Sequence, residues 1–222
     1  MKLKWLSHAG FYVELCGKKI LIDPWLSGNP LAKEKPEDIK DVDMILVTHD
    51  HGDHIGDTVE IAKRTNAKVI GIYELVQYIM EQGVNNVLGM NIGGTVLLDG
   101  IKITLVQAFH SSSRGAPTGF IIRCENESLY HAGDTGLFGD MKIIGELYKP
   151  KVALLPIGSY YTMGPIEALE AVKMIKPKIV IPMHYNTFPV IRQDPSIFKR
   201  MVESELPEIK VIIPQIGEWI TI

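Results

Sequence analysis

The chain is poor in cysteine, with only Cys16 and Cys124 among 222 residues. Two are too few to specify a disulfide framework. Both stand in strand-like runs, FYVELC and FIIRC, which reads as packing rather than metal ligation or nucleophilic chemistry. No apolar run approaches the roughly 18 residues of a membrane span, and the opening MKLKWLSHAGF lacks a secretory apolar core. Positive charge is not in excess: 23 Lys and Arg against 26 Asp and Glu leave −3 at pH 7, with a pI near 6.2. Nothing here advertises nucleic acid or an anionic membrane as a partner. Low-complexity tracts and short repeats are missing too. These absences predict a cytoplasmic protein with no membrane insertion and no nucleic-acid partner.

What is present suits a packed α/β domain. Hydrophobic residues make up 46% of the chain and charged ones 22%, which predicts one domain over residues 1–222. Short β-branched runs punctuated by Gly, Asp and Pro read as strands: KLKWLS, FYVEL, KILID, TVLLD, KITLVQAF, GFIIRCE and ESLYHAG. ENES between the last two is a hairpin turn. Helical periodicity marks HIGDTVEIAKRT, YELVQYIMEQG, 139–148, PIEALEAVKMIK and 195–205. The unbroken apolar runs VALLPI and IVIPM predict strands covered on both faces. Residues 26–43, polar and containing two prolines, read as an exposed connection. Strands followed by strand–helix alternation occur in both halves, so two packed sheets flanked by helices are expected.

The densest chemistry is THDHGDH at 48–54, directly after the apolar MILV. Three of seven histidines and two aspartates fall within six positions. On a strand 49, 51 and 53 would share a face while 54 pointed away; on a helix the set would scatter. A tight loop lets His49, His51, Asp53 and His54 converge, and Gly52 supplies backbone freedom. Imidazole with carboxylate suits zinc and similar divalent ions. Further strand ends deliver His110 after ITLVQAF, Asp134 after SLYHAG and His184 after KIVIPM. Strand ends and their loops are where such folds gather functional groups. Solvated loop residues are the plain alternative, but they do not account for three more polar strand ends.

HDHGDH at 49–54, His110, the GDT of 133–135 and His184 resemble the five motifs of the metallo-β-lactamase fold, with Asp23 of LIDP at the first, usually supporting, motif. The resemblance covers essentially the whole chain. PIGSYYTMGPIEAL and VIPMHYNTFPVIRQDP narrow it to a family of predicted metal-dependent hydrolases related to ascorbate-6-phosphate lactonases and N-acylphosphatidylethanolamine phospholipase D. It implies an α/β, αββα sandwich of two mixed sheets. It also implies two divalent ions, zinc above all, with Mn2+, Ni2+ or Fe2+ able to replace it. His49, His51 and His110 would hold the first ion, Asp53, His54 and His184 the second, and Asp134 would bridge. The best-known zinc β-lactamases carry cysteine at the position of Asp134, and flavodiiron oxidoreductases carry glutamate at that of His51, so neither activity is expected. Relatives often assemble, so a homo-oligomer fits the resemblance.

Two ions about 3.5–4 Å apart would share a bridging water and supply hydroxide near pH 7, with Asp53 and Asp134 orienting it or taking its proton. The expected reaction is hydrolysis of a small ester, lactone or phosphoester. A phosphodiesterase or nuclease with the same site and a non-catalytic metal protein are the alternatives. His8 of LSHAGF is a candidate proton donor or a packed structural histidine. His131 is expected to support Asp134 or pack in its strand. Asn186 and Arg114 are the candidate substrate contacts, Arg114 through bidentate pairing with an anion. Tyr160, Tyr161 and Thr162 read equally as pocket wall or as turn and cap.

Overall fold

Each N-terminal run pairs first with its sequence neighbour. In the computed structural model, which describes residues 1–222, β1 (Lys2–Ser7), β2 (Gly10–Leu15) and β3 (Lys18–Ile22) form an antiparallel meander. β4 (Met44–Leu46), β5 (Lys68–Ile72) and β6 (Val87–Met90) then add in parallel. A C-terminal strand, β14 (Trp219–Thr221), closes the other edge, giving the order β14-β1-β2-β3-β4-β5-β6.

The second sheet repeats the plan. β7 (Thr95–Leu98), β8 (Ile101–Gln107), β9 (Thr118–Cys124) and β10 (Glu127–His131) are antiparallel. β11 (Val152–Pro156), β12 (Ile179–Met183) and β13 (Lys210–Val211) continue in parallel, giving β13-β12-β11-β10-β9-β8-β7. Every residue of β11 is buried, as the run VALLP requires of a strand covered on both sides. The parallel strands need crossovers. A long connection with one 3-10 turn (Pro36–Asp38) joins β3 to β4. Helices supply the others: α1 (Gly52–Ile55), α2 (Thr58–Thr65) and α3 (Tyr73–Glu81) in the first half, and α4 (Met141–Tyr148), α5 (Pro165–Ile175) and α6 (Pro195–Glu205) in the second. One continuous cluster of 60 buried apolar residues joins the layers. Two mixed seven-stranded sheets flanked by helices are the αββα arrangement expected from sequence.

Three expectations need correction. HIGDTVEIAKRT is two helices, broken at Gly56, because the Pro24–Trp25 backbone packs against that glycine. A Cβ there would sit 2.6 Å from Trp25 Cα. Residues 26–43 are not a uniformly exposed connection, since Leu26, Ile39 and Val42 are buried. The Asp57 carboxylate accepts from the Leu26 and Ser27 N–H groups at 2.7 and 2.9 Å.

The cysteines, third, do more than pack. Cys16 and Cys124 form a disulfide across 108 residues, with their Cα atoms 6.5 Å apart. It joins the end of β2 to the end of β9 and so ties one sheet to the other. Such bonds persist in oxidising compartments or inside hyperthermophiles.

Candidate metal centre

The strand ends facing away from the disulfide carry the polar residues. Ser7, His8, Asp23, His184 and Asn186 all adopt positive φ there, a conformation that costs side-chain-bearing residues energy and collects at functional sites. Bonds between the sheets pin this end: Thr118 N donates to Thr48 O at 3.0 Å, and His184 N donates to His8 O at 3.0 Å.

Tautomers follow from the partners. The Thr48 hydroxyl donates to Asp23 Oδ2 at 2.7 Å and lies 3.0 Å from His49 Nδ1. Its one proton is committed to a carboxylate, so His49 Nδ1 must donate and its Nε2 is left as a bare acceptor. That Nε2 is 2.9 Å from His51 Nδ1, which is 3.3 Å from His110 Nε2. Three ring nitrogens from both sheets thus face one point. Beside them, Asp134 oxygens lie 3.2 Å from His54 Nε2, 3.4 Å from His110 Nε2 and 3.0 Å from His184 Nε2.

The donor atoms of His8, Asp53, His54 and His184 fall within 4.8 Å of one another, as do those of His49, His51 and His110, and those of His49, His54 and Asp134. Asp134 therefore stands where the two histidine groups meet. Asp23, buried, receives His54 Nδ1 at 2.8 Å and aims its Nε2 inward, the outer-layer support that fixes ligand orientation in metal sites.

The donors fit a cation. His54 Nε2, Asp134 Oδ1 and His184 Nδ1 are buried without a well-formed hydrogen bond, although the first two are 3.2 Å apart. Buried polar atoms are rarely left so, and a divalent ion satisfies nitrogen and carboxylate donors together.

Burial pushes the His49 imidazole down to about 3 and that of His8 to about 4, and it lowers His110 and His131 as well. For His54 burial works the same way, but the Asp134 and Asp23 carboxylates outweigh it and hold it well above the usual value. For Asp134 burial would raise the carboxyl, yet His184 and His54 hold it well below.

A pH prediction follows for metal-free protein. Between pH 6.5 and 4 the unfolded chain takes up protons that the buried, depressed imidazoles refuse, so stability falls with pH. His8 alone implies about 3 kcal/mol across that window. His54 acts in the opposite sense: its contribution is complete below 6.5 and is lost only as pH rises through its folded value, so it does not offset the acid loss. Urea midpoints of chelator-stripped protein should drop from pH 7 to pH 5, and a flat profile would sink the assignment of neutral buried histidines.

Not every candidate residue meets the cluster. His131 Nε2 donates to Ala9 O at 2.8 Å, and its Nδ1 accepts from Gly133 N at 3.1 Å. It ties β10 to the β1–β2 turn and shapes the approach to Asp134. Arg114 is taken by Asp50 at 2.9 Å and stacks 3.9 Å above the Tyr78 ring. The Asn186 carboxamide oxygen accepts from Gln193 N at 2.9 Å and holds its own turn. His8 does reach the cluster, but both its nitrogens are engaged, Nδ1 with the Thr187 hydroxyl and Nε2 with Asp53 Oδ2 at 3.0 Å.

Asp50 is one of the two aspartates in HDHGDH, but the sequence gives it no role of its own. Its carboxylate is 2% exposed and accepts from Ser112 Oγ, Ser113 N and Arg114 Nη1, each at 2.9 Å. It locks the loop that follows His110 onto the loop that carries His49 and His51. The signal was the acid inside HDH together with SSSR after the third histidine. Asp50→Ala should weaken metal binding at the three histidines about 10- to 100-fold, read by chelator competition. Asp50→Asn, which keeps the Oδ1 acceptor, should lose far less.

A cavity of about 710 Å3 opens onto the cluster, walled by Trp25, Phe188, Tyr161 and Ser111 over His51, Asp53, His110, Asp134 and His184. A separate cleft of about 610 Å3, lined by lysines including Lys149 and Lys176, lies elsewhere. Those two residues end α4 and α5, where cations offset the helix dipole.

The model of the β-lactamase superfamily domain matches residues 18–185. The chain belongs to the metallo-β-lactamase superfamily. A metal-dependent hydrolase of Methanopyrus kandleri is 55% identical to this superfamily member, with 98% of each chain covered. Another from Caldivirga maquilingensis is also 55% identical, over 97% of this chain and 96% of its own. A metallo hydrolase of the hyperthermophilic archaeon Ignicoccus hospitalis superposes with a TM-score of 0.93 at 48% identity, covering 99% of this chain and 97% of its own. Within the metallo-β-lactamase superfamily this chain is a metal-dependent hydrolase whose His and Asp cluster is able to bind metal.

Proposed function

We propose that the protein is a dinuclear hydrolase of a small ester, lactone or phosphoester, most favourably loaded with Zn2+, with Mn2+, Ni2+ or Fe2+ as substitutes. The observation that carries this is the position of Asp134 between two histidine groups on the floor of one open cavity. His49, His51 and His110 would hold one ion, Asp53, His54 and His184 the other, with Asp134 shared. Bound there, the ions would polarise the scissile group and lower the pKa of water toward neutrality.

The chain's own residues do the rest. Burial opposes ionisation of Asp53, but the His8 hydrogen bond and His54 hold its carboxyl well below the usual range. It therefore stays ionised to ligate and to orient a water by accepting its hydrogen bond, while being too weak a base to keep the proton. His8 is neutral at pH 7, and its two engaged nitrogens make it a positioning residue for Asp53. Proton donation from His8 to a leaving group would first require one of those bonds to break. The Trp25, Phe188 and Tyr161 side chains restrict water around the reacting group.

A phosphodiesterase reading uses the same donors, but no lysine or arginine lines the cavity. Turnover of a 4-nitrophenyl ester, a γ-lactone and bis(4-nitrophenyl) phosphate, with and without chelator, tests the proposal. Chelator-sensitive ester or lactone hydrolysis is expected. Phosphodiester turnover alone would favour the second reading, and no turnover with any of the four metals would overturn both.

A further inference from the structure

The cavity wall beside Asp53, His54 and His184 is aromatic. Trp25 and Phe188 stack with ring centroids 5.6 Å apart and planes 27° from parallel. Both meet the His8 ring edge-on, at 5.2 and 5.6 Å. Each is half-buried and lines the opening above the cluster. Half-buried rings at a mouth are often incidental, but two features here argue otherwise.

First, both rings are held by backbone-fixed loops before anything binds. Trp25 lies two residues after Asp23, whose carboxylate is locked to Thr48 N at 2.8 Å. The next two N–H groups are tied to Asp57, and the Trp25 backbone abuts Gly56. Phe188 follows Thr187, bonded to His8, and closes a turn in which Asn186 N donates to Ile191 O at 3.0 Å and Ile191 N donates to Phe188 O at 3.1 Å. Pre-ordered rings bind without the entropy cost of immobilising them.

Second, no side-chain cation lines the wall around the rings, so any anionic group would be met by the bound ions alone. No lysine or arginine lines the cavity. Arg114 is committed to Asp50 and Tyr78, and Arg192 lines an adjoining depression that shares only Phe188 with the cavity.

We infer that Trp25 and Phe188 form a preorganised apolar subsite that takes an aromatic or bulky apolar group of an uncharged carbonyl substrate. This rests on the hydrolase reading and narrows it away from phosphoesters. The test reads binding, so it stands apart from turnover. Isothermal titration of the zinc-loaded protein would use 2-naphthamide, the ring-free acetamide, 2-naphthyl phosphate and inorganic phosphate. 2-Naphthamide should bind and acetamide should not. Trp25→Ala and Phe188→Ala should each weaken 2-naphthamide about tenfold, Trp25→Phe should recover most of the loss, and zinc content should not change. Affinity for 2-naphthamide that is indifferent to both alanine variants would overturn the subsite. So would binding of 2-naphthyl phosphate matched by inorganic phosphate, because the metals alone would then account for it. Absence of turnover with intact, Trp25-dependent binding would overturn the hydrolase reading and leave the subsite standing.

Discussion

Asp134→Ala protein should lose metal at both positions at once. The side chain is 3% exposed and its two oxygens face three imidazoles belonging to both histidine groups. Removing it leaves His54, whose protonated form it stabilises, with Asp23 as its remaining buried carboxylate. Neither group of histidines then keeps its shared oxygen donor. Even outer-layer substitutions cost about 10- to 100-fold in affinity, so loss of a shared ligand should exceed that. Elemental analysis after desalting should show well under one ion per chain, with turnover lost. The fold should survive, since 60 apolar residues form the core. Full metal content and full activity in this variant would remove Asp134 from its bridging role.

Much of this was legible in the primary structure, for physical reasons that differ by residue. Strands such as VALLP and IVIPM announce themselves because burial on both faces demands unbroken apolar runs. His49, His51 and His54 announce themselves because they crowd six positions, although His54 sits on the short helix α1 rather than in the tight loop expected. His110, Asp134 and His184 follow because each ends a recognisable strand. Long-range partners carried no such mark. Nothing local says that Asp50 reaches Arg114, 64 residues away, or that Asn186 spends its carboxamide on a turn. Cys16 and Cys124 sit in ordinary strand sequence, and only the packing of one sheet on the other brings them together.

Reduction of that disulfide should produce the largest stability change available to a single bond in this chain. A cross-link closing about 100 residues stabilises by about 4.7 kcal/mol in the chain-entropy model. For a domain of this size each kcal/mol moves the midpoint roughly 2–4 °C, so Tm should fall by roughly 10–20 °C. Calorimetry of Cys16→Ser, or of wild type with and without reductant, reads it directly. Zinc content should hold, because the bond lies at the opposite ends of β2 and β9 from the histidines. Two free thiols in unreduced purified protein, by mass spectrometry, would show that the bond does not form.

The same bond draws a closed circuit through the polypeptide. Residues 16 to 124 form a covalent ring, and His49, His51, Asp53, His54 and His110 all lie on it, while His8, Asp134 and His184 hang on the two open tails. In an oxidised but denatured chain the three histidines of the first group therefore stay within a tethered volume, and tethering raises their effective concentration for one another. The second group straddles ring and tail and has no such memory. Zinc would thus linger on the unfolded oxidised chain and add less to equilibrium stability than it adds to the reduced one, since affinity for the unfolded state subtracts from stabilisation. Zinc retained in urea, oxidised against reduced, measures that difference; equal retention would mean the ring does not act on the metal.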